Sequence, residues 1–171
     1  MSTLSQFQGQ LRSGGARPSL FKVNLPGQGI PTEKFSFLCK AASLPASTIG
    51  PILVPYRGRQ LKLAGDRTFA DWTLTVINDS DFEIREALEN WSEKINSYEK
   101  NVGVETPQSY CVDASVDQLD RTEAVTRSYN FYQIWPSELS DIPLAYDSVD
   151  TIEEFTVTFQ VQWWSPASGI F

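Results

Sequence analysis

Apolar and polar side chains alternate with a period of two through much of this chain, the pattern of strands buried on one face. Leu20–Leu25 is the first such run, closed by Pro26-Gly27-Gln28-Gly29, and Phe35–Ala42 sets Phe35, Phe37 and Cys39 on one side. The pattern returns at Arg59–Ala64, where Leu61 and Leu63 alternate with Gln60 and Lys62. It returns again at Trp72–Ile77, where Trp72, Leu74 and Val76 alternate with Thr73 and Thr75. Tyr110–Val116 and Val125–Tyr132 read as a pair joined by an acidic turn holding Asp117 and Asp120. In Phe155–Trp164 the alternation is clearest. Phe155, Val157, Phe159, Val161 and Trp163 point to a core, while Thr156, Thr158, Gln160 and Gln162 form an uncharged polar face.

Three stretches break the period. Residues 1–19 form a polar arm with Gly9, Gly14, Gly15 and Pro18, and its first 15 residues are expected to be mobile until a partner orders them. Residues 43–58 carry the apolar run Ile52-Leu53-Val54 among Pro45, Gly50, Pro51, Pro55 and Gly58. Proline removes ladder donors, so this is an extended excursion and not a central strand. Residues 80–100 change to helical spacing: Ile84, Leu88, Trp91, Ile95 and Tyr98 recur at intervals of four and three. Ser80 with Glu83 makes a capping box, Asp79 and Asp81 suit the positive end of the helix dipole, and the stop is expected between Lys100 and Gly103. The elements predict a mainly β, single domain over residues 1–171. It is an antiparallel β-sandwich or open barrel of seven or eight strands, with one helix after the fifth, a long projecting loop and a short tail at 165–171.

Composition removes whole classes of function. The chain has 171 residues, 41% hydrophobic and 20% charged, which suits one domain with an adequate core. No apolar run approaches the roughly 18 residues of a membrane span, and the polar start carries no leader pattern, so an unprocessed cytoplasmic protein is the expectation. Histidine is absent. That excludes a Ser-His-Asp triad, a Cys-His pair, a histidine general base and a zinc site with histidine ligands. Cys39 and Cys111 lie 72 positions apart and read as reduced, small apolar side chains, with a disulfide still open.

The remaining motifs are weak. Gly27-x-Gly29 lacks the third glycine of a dinucleotide loop and reads as a hairpin turn. The carboxylates are numerous enough for a histidine-free hydrolase, but no pair stands out. Arg57-Gly58-Arg59-x-x-Lys62 fits a protein contact better than a nucleic-acid grip in so acidic a chain. Trp163 or Trp164 stacking on a sugar keeps a carbohydrate-binding module as an alternative, beside a subunit interface. Net charge is −7, divided unevenly: residues 1–67 hold nine basic and two acidic side chains, a net of +7, and residues 68–171 carry −14. Such a split implies complementary surfaces within one subunit or between copies.

The stretch Ala64-Gly65-Asp66-Arg67-Thr68-Phe69-Ala70-Asp71-Trp72-Thr73-Leu74-Thr75-Val76-Ile77-Asn78-Asp79 closely resembles the tail tube proteins of T-even-type contractile-tailed phages. The match lies in its Gly-Asp-Arg-Thr-Phe, Asp-Trp-Thr and Asn-Asp elements ahead of a helix. Ala16-Arg17-Pro18-Ser19-Leu20-Phe21, Phe37-Leu38-Cys39-Lys40-Ala41-Ala42-Ser43-Leu44-Pro45, Trp135-Pro136 and Glu154-Phe155-Thr156-Val157 match in the same order, from about Ala16 to Trp164. The resemblance implies a structural protein with no catalytic site, cofactor, metal or small-molecule ligand. It implies hexameric rings stacked head to tail into a hollow tube that passes double-stranded DNA, with sheath, baseplate and tape-measure proteins as partners. The place it implies is the virion tail, after assembly in the host cytoplasm. A tube initiator, or the tube of another contractile injection machine such as type VI secretion, shares the pattern.

On that premise, residues 43–67 are expected to meet the next ring through Ile52, Leu53 and Val54 and the charges Arg57, Arg59, Lys62, Asp66 and Arg67. A structural ion pair serves equally well for the Gly-Asp-Arg segment. Thr73, Thr75, Thr156, Thr158, Gln160 and Gln162 are the lumen candidates, because a channel for DNA must not hold phosphates. The same row reads equally as an outer solvated face.

Overall fold

The matched alternation of Trp72–Ile77 and Phe155–Gln160 makes them neighbouring antiparallel strands, with Trp72 opposite Phe159, Leu74 opposite Val157 and Val76 opposite Phe155. Each pair sets two apolar side chains on the same face, and that face is the core. The computed structural model describes residues 3–11 and 14–167. Its strands are β1 (Phe21–Asn24), β2 (Cys39–Ala42), β3 (Ser47–Tyr56), β4 (Arg59–Phe69), β5 (Trp72–Ile77), β6 (Val112–Leu119), β7 (Val125–Leu139), β8 (Glu154–Gln160) and β9 (Trp163–Pro166). Its helices are α1 (Leu4–Gln10), α2 (Thr32–Leu38), α3 (Glu83–Ile95) and α4 (Pro107–Tyr110). Seven strands run in the order β1-β6-β7-β8-β5-β2, with β9 also on β7, while β3 pairs with β4 alone.

β7 is long enough to serve both halves of the sandwich. Its first part pairs with β6 and β9, and its last part, from Trp135, pairs with β8. At the change of partner Gln133 takes a left-handed φ of 52°, and its N–H donates to Asp113 Oδ1 at 2.9 Å, so the bend stays hydrogen-bonded. The halves meet where Trp72 stacks on Phe131 with ring centres 4.4 Å apart. Helix α3 lays Ile84, Ala87, Leu88 and Trp91 on this core, and Trp91 reaches Phe159 at 5.8 Å. Arg85 fastens the same helix: it bonds Glu89 and the Ser140 carbonyl, both at 2.8 Å, with its guanidinium 5.0 Å from the Phe155 ring centre.

Several expectations change. Phe35–Ala42 is not one strand, since Thr32–Leu38 is helical and only Cys39–Ala42 is extended. The four-residue spacing of buried Phe35 and Cys39 satisfies a helical turn, Glu33 suits its first turn, and Phe37 is left 80% exposed. Gly27–Gly29 therefore joins a strand to a helix, not two strands. Residues 47–56 are extended and not a central strand, as expected, but they form one arm of a hairpin with a bulge between Ile49 and Pro51; Pro51 and Pro55 are tolerated because β3 has one partner and a free edge. Ser80 does not cap α3. Phe82 occupies the N-cap with φ 55°, and Asp81 Oδ1 accepts the Glu83 N–H at 3.1 Å. The helix ends at Ile95, short of residue 100, because the chain folds back: Ser97 N–H bonds Val102 O and Asn101 N–H bonds Ser97 O, each at 3.0 Å.

The last strand breaks at Val161–Gln162. That break exchanges the faces of the residues beyond it. Trp163 is exposed and stacks on Tyr132 at 3.9 Å, whereas Trp164 packs against the core beside Phe69 and Tyr129. Tyr110 belongs to α4, so the β6–β7 pair starts later and runs further than its alternation suggests. The arm holds helix α1, residues 165 and 166 of the expected tail belong to β9, and residues 1, 2, 12, 13 and 168–171 lie outside the described residues. Cys39 and Cys111 are both free thiols.

Candidate functional site

Strands β3 and β4 form a hairpin outside the seven-stranded sheet. Its tip, Arg57 and Gly58, has φ of 46° and 81°, the paired left-handed geometry of a tight two-residue hairpin turn. Its base is tied to the domain. Ala70 N–H donates to Ala46 O at 2.9 Å, Trp72 Nε1–H donates to Ser43 O at 2.8 Å, and Phe69 meets Trp164 edge-on. Near Gly50 the register shifts, and a Cβ on Gly65 would lie 2.7 Å from the Gly50 carbonyl oxygen, so only glycine permits this approach.

Beyond that bulge the hairpin has two distinct faces. Cross-strand pairs Ile52/Leu63, Val54/Leu61 and Tyr56/Arg59 share one; Pro51/Ala64, Leu53/Lys62 and Pro55/Gln60 share the other. Ile52, Val54, Leu61 and Leu63 form a continuous aliphatic ladder, each between 40% and 57% exposed. The structure thus gathers Ile52, Leu53, Val54, Arg57, Arg59 and Lys62 on one projection but divides them between faces. Arg57 sits in the turn with its guanidinium 5.3 Å from the Tyr56 ring centre. Asp66 and Arg67 belong to β4 near the base, Arg67 opposite Ile49, and among the described residues they form no ion pair. Leu61, Leu63 and Tyr56 complete the apolar face and are missing from the expected contact residues. Their alternation is visible in the sequence, but period two shows which side chains share a face and not whether that face is covered.

The polar row is a second surface. Thr73 lies opposite Thr158 and Thr75 opposite Thr156, and Gln160 continues the row along β8. Gln162 falls in the break before β9 and does not join it. Lys40 donates to Glu154 Oε1 at 2.6 Å, and Glu154 shares the Thr156 face by alternation, so this lysine is neutralised where it stands. Glu138 of β7 lies opposite Thr158.

Electrostatic perturbations lie elsewhere. Lys34 bonds Asp79 and Glu83, each at 3.1 Å, and also Asp81, joining α2 to the start of α3. The bond to Asp81 raises the lysine's pKa and holds the Asp81 carboxyl below its ordinary value. Burial pushes the Cys39 thiol up to about 12. Among the described residues no three histidine, cysteine, aspartate or glutamate side chains gather as metal ligands. No described helix is long and apolar enough to cross a membrane.

The sequence pattern of the family described as phage tail tube protein matches residues 2–166. The chain is 34% identical over 150 residues to tail tube protein gp19 of Enterobacteria phage T4, covering 87% of this chain and 90% of the relative. It is 28% identical over 163 residues to the tail tube protein of Serratia phage KSP90, covering 91% and 92%. In fold it is similar to a chain of the PVC extracellular contractile injection system, in the sheath–tube complex in the extended state. That likeness has a TM-score of 0.62 at 14% identity and covers 97% of this chain and 98% of the other.

Proposed function

Because this chain belongs to the phage tail tube protein family, we propose that six copies close into a ring, that rings stack head to tail through the β3–β4 hairpin, and that the β5–β8 polar row lines a channel for double-stranded DNA. The role is structural, with no reaction assigned. The observation that carries it is the aliphatic ladder of the hairpin, which the domain itself leaves uncovered. Covering four half-exposed aliphatic side chains contributes about 1 kcal/mol each, about 4 kcal/mol per hairpin. An exposed ion pair contributes about 0.2–1 kcal/mol. The apolar face therefore drives stacking, and Arg57, Arg59 and Lys62 set register and encounter rate against acidic residues of the next ring.

A head-to-tail contact joins two different surfaces and repeats without closing, which yields a tube. Free sheet edges pair between neighbours to close each ring. Threonine hydroxyls, a glutamine amide and a neutralised Lys40 present DNA with no free cation on the row, so phosphate affinity does not slow its passage. Sheath outside, baseplate below and a tape-measure protein inside complete the set of partners.

Substitution at the hairpin tests the stacking. Ile52→Asp with Leu61→Asp is expected to give folded subunits that form no tubes at any concentration by negative-stain microscopy. Arg57→Glu with Arg59→Glu is expected to raise the concentration needed for tubes about tenfold at low salt, in keeping with about 1.4 kcal/mol from two weakened ion contacts. Normal tubes from the aspartate pair would exclude the hairpin as the stacking element.

A further inference from the structure

Helix α1 is amphipathic and uncovered. Leu4, Phe7 and Leu11 recur at three and four positions on one stripe, are 41% to 73% exposed, and no residue of the helix is buried. Its start is specified locally, since Thr3 N–H donates to Gln6 Oε1 at 3.3 Å. Seven residues are nonetheless about half the length at which an isolated helix holds in water, so packing of the stripe must supply the rest. Residues 1–19 also carry Arg12 and Arg17 and no acid.

A complementary surface lies beside strand β1, which has one strand partner. There an open cleft of about 730 Å³ has Phe21, Phe37, Leu119 and Val125 among its lining residues. Its rim carries Glu33, Asp117 and Glu123 against one cation, Lys22. The Asp117 oxygens accept from Asn24 at 3.0 Å and Ser128 at 2.5 Å, both neutral donors, and Lys22 lies opposite Asp117 across the β1–β6 pair, so the three rim carboxylates face a single cation. In the single chain the stripe and the cleft are both open. The arm's base is fixed by Gln118 Nε2, which donates to the Arg17 and Leu20 carbonyls at 2.6 and 2.8 Å.

We propose that the α1 stripe of one copy docks in the β1–α2 cleft of a second copy, Leu4, Phe7 and Leu11 against its apolar floor and the basic arm against its acidic rim. The inference rests on the reading of this chain as a self-assembling subunit. It adds to it a strap between neighbours that is separate from the hairpin. The contact is heterologous, so every copy gives one arm and receives one.

Cross-linking between mixed variants tests the docking. Phe7→Cys and Phe37→Cys chains, each also Cys111→Ser, are purified separately, mixed, assembled and treated with a short bis-maleimide. A covalent dimer is expected from the mixture and from neither variant alone. Adding Glu33→Lys and Glu123→Lys to the Phe37→Cys chain is expected to lower its yield about fivefold at low salt, the equivalent of about 1 kcal/mol from two exposed ion pairs. Assembly without the mixed dimer would overturn the docking and leave the tube reading intact. A Phe7→Cys, Phe37→Cys double variant linked only within its own chain would overturn it in the same way. If the wild-type chain stayed monomeric under all conditions, including on purified baseplates, the tube reading would fall and the docking with it.

Discussion

Cys39 shows how much one side chain depends on its surroundings. Burial on the core side of β2 pushes its thiol up to about 12 from the ordinary 9.0. The unfolded chain releases that proton earlier. The stability Cys39 contributes is therefore full below pH 9 and is lost as pH rises from 9 toward 12. Cys111 is also shifted upward, by burial and by Asp113, but is only half-buried. Iodoacetamide at pH 8.5 is expected to modify Cys111 first and Cys39 at least about tenfold more slowly, with equal rates only in denaturant. Equal rates in the folded protein would contradict the placement of β2. The spacing of Cys39 with Phe35 makes its burial legible in the sequence, while nothing local marks Cys111 as the more exposed thiol. The tryptophan pair departs from its alternation for a related reason: a short break at Val161–Gln162 reverses the faces of Trp163 and Trp164, and no local propensity marks it.

At the scale of elements, β5, α3 and β8 are legible from periodicity because each has one face on the core and one in water. Of the hairpin, β4 is legible in part, at Arg59–Ala64, whereas β3 is not, because prolines interrupt its pattern and both faces of the hairpin are open, so alternation there reports cross-strand pairing instead of burial. Proline in β3 is disqualifying only for a strand with two neighbours. Gly65 is the position on which this element depends, since any Cβ there meets the Gly50 carbonyl. Gly65→Val is expected to speed amide hydrogen exchange across Ser47–Phe69 while leaving β5 and β8 protected, because the hairpin lies outside the core. Uniform loss of protection would show that the hairpin is part of the main folding unit. Helix α2 reads as strand in the sequence because buried Phe35 and Cys39, four apart, satisfy both periods.

For the whole molecule, the mainly β architecture, the helix after β5 and the family are legible in the sequence, carried by ordered motifs spread from Ala16 to Trp164. Missing histidine excludes several kinds of catalyst; the exposed aliphatic ladder supports the proposed contact role. The uneven charge halves acquire locations as well: a basic hairpin and arm, and acidic rims around β6, β7 and the start of α3. The proposed pairing of one copy's open surfaces with another's is not encoded locally in the chain. Cryo-electron microscopy of the concentrated wild-type protein, nucleated on purified baseplates if needed, measures that pairing directly. The account predicts hollow, six-fold stacked rings with the β3–β4 hairpin buried between rings and the Thr73, Thr75, Thr156 and Thr158 row facing the lumen. Rings with the hairpin free on the outer surface, or with that row facing outward, would contradict it.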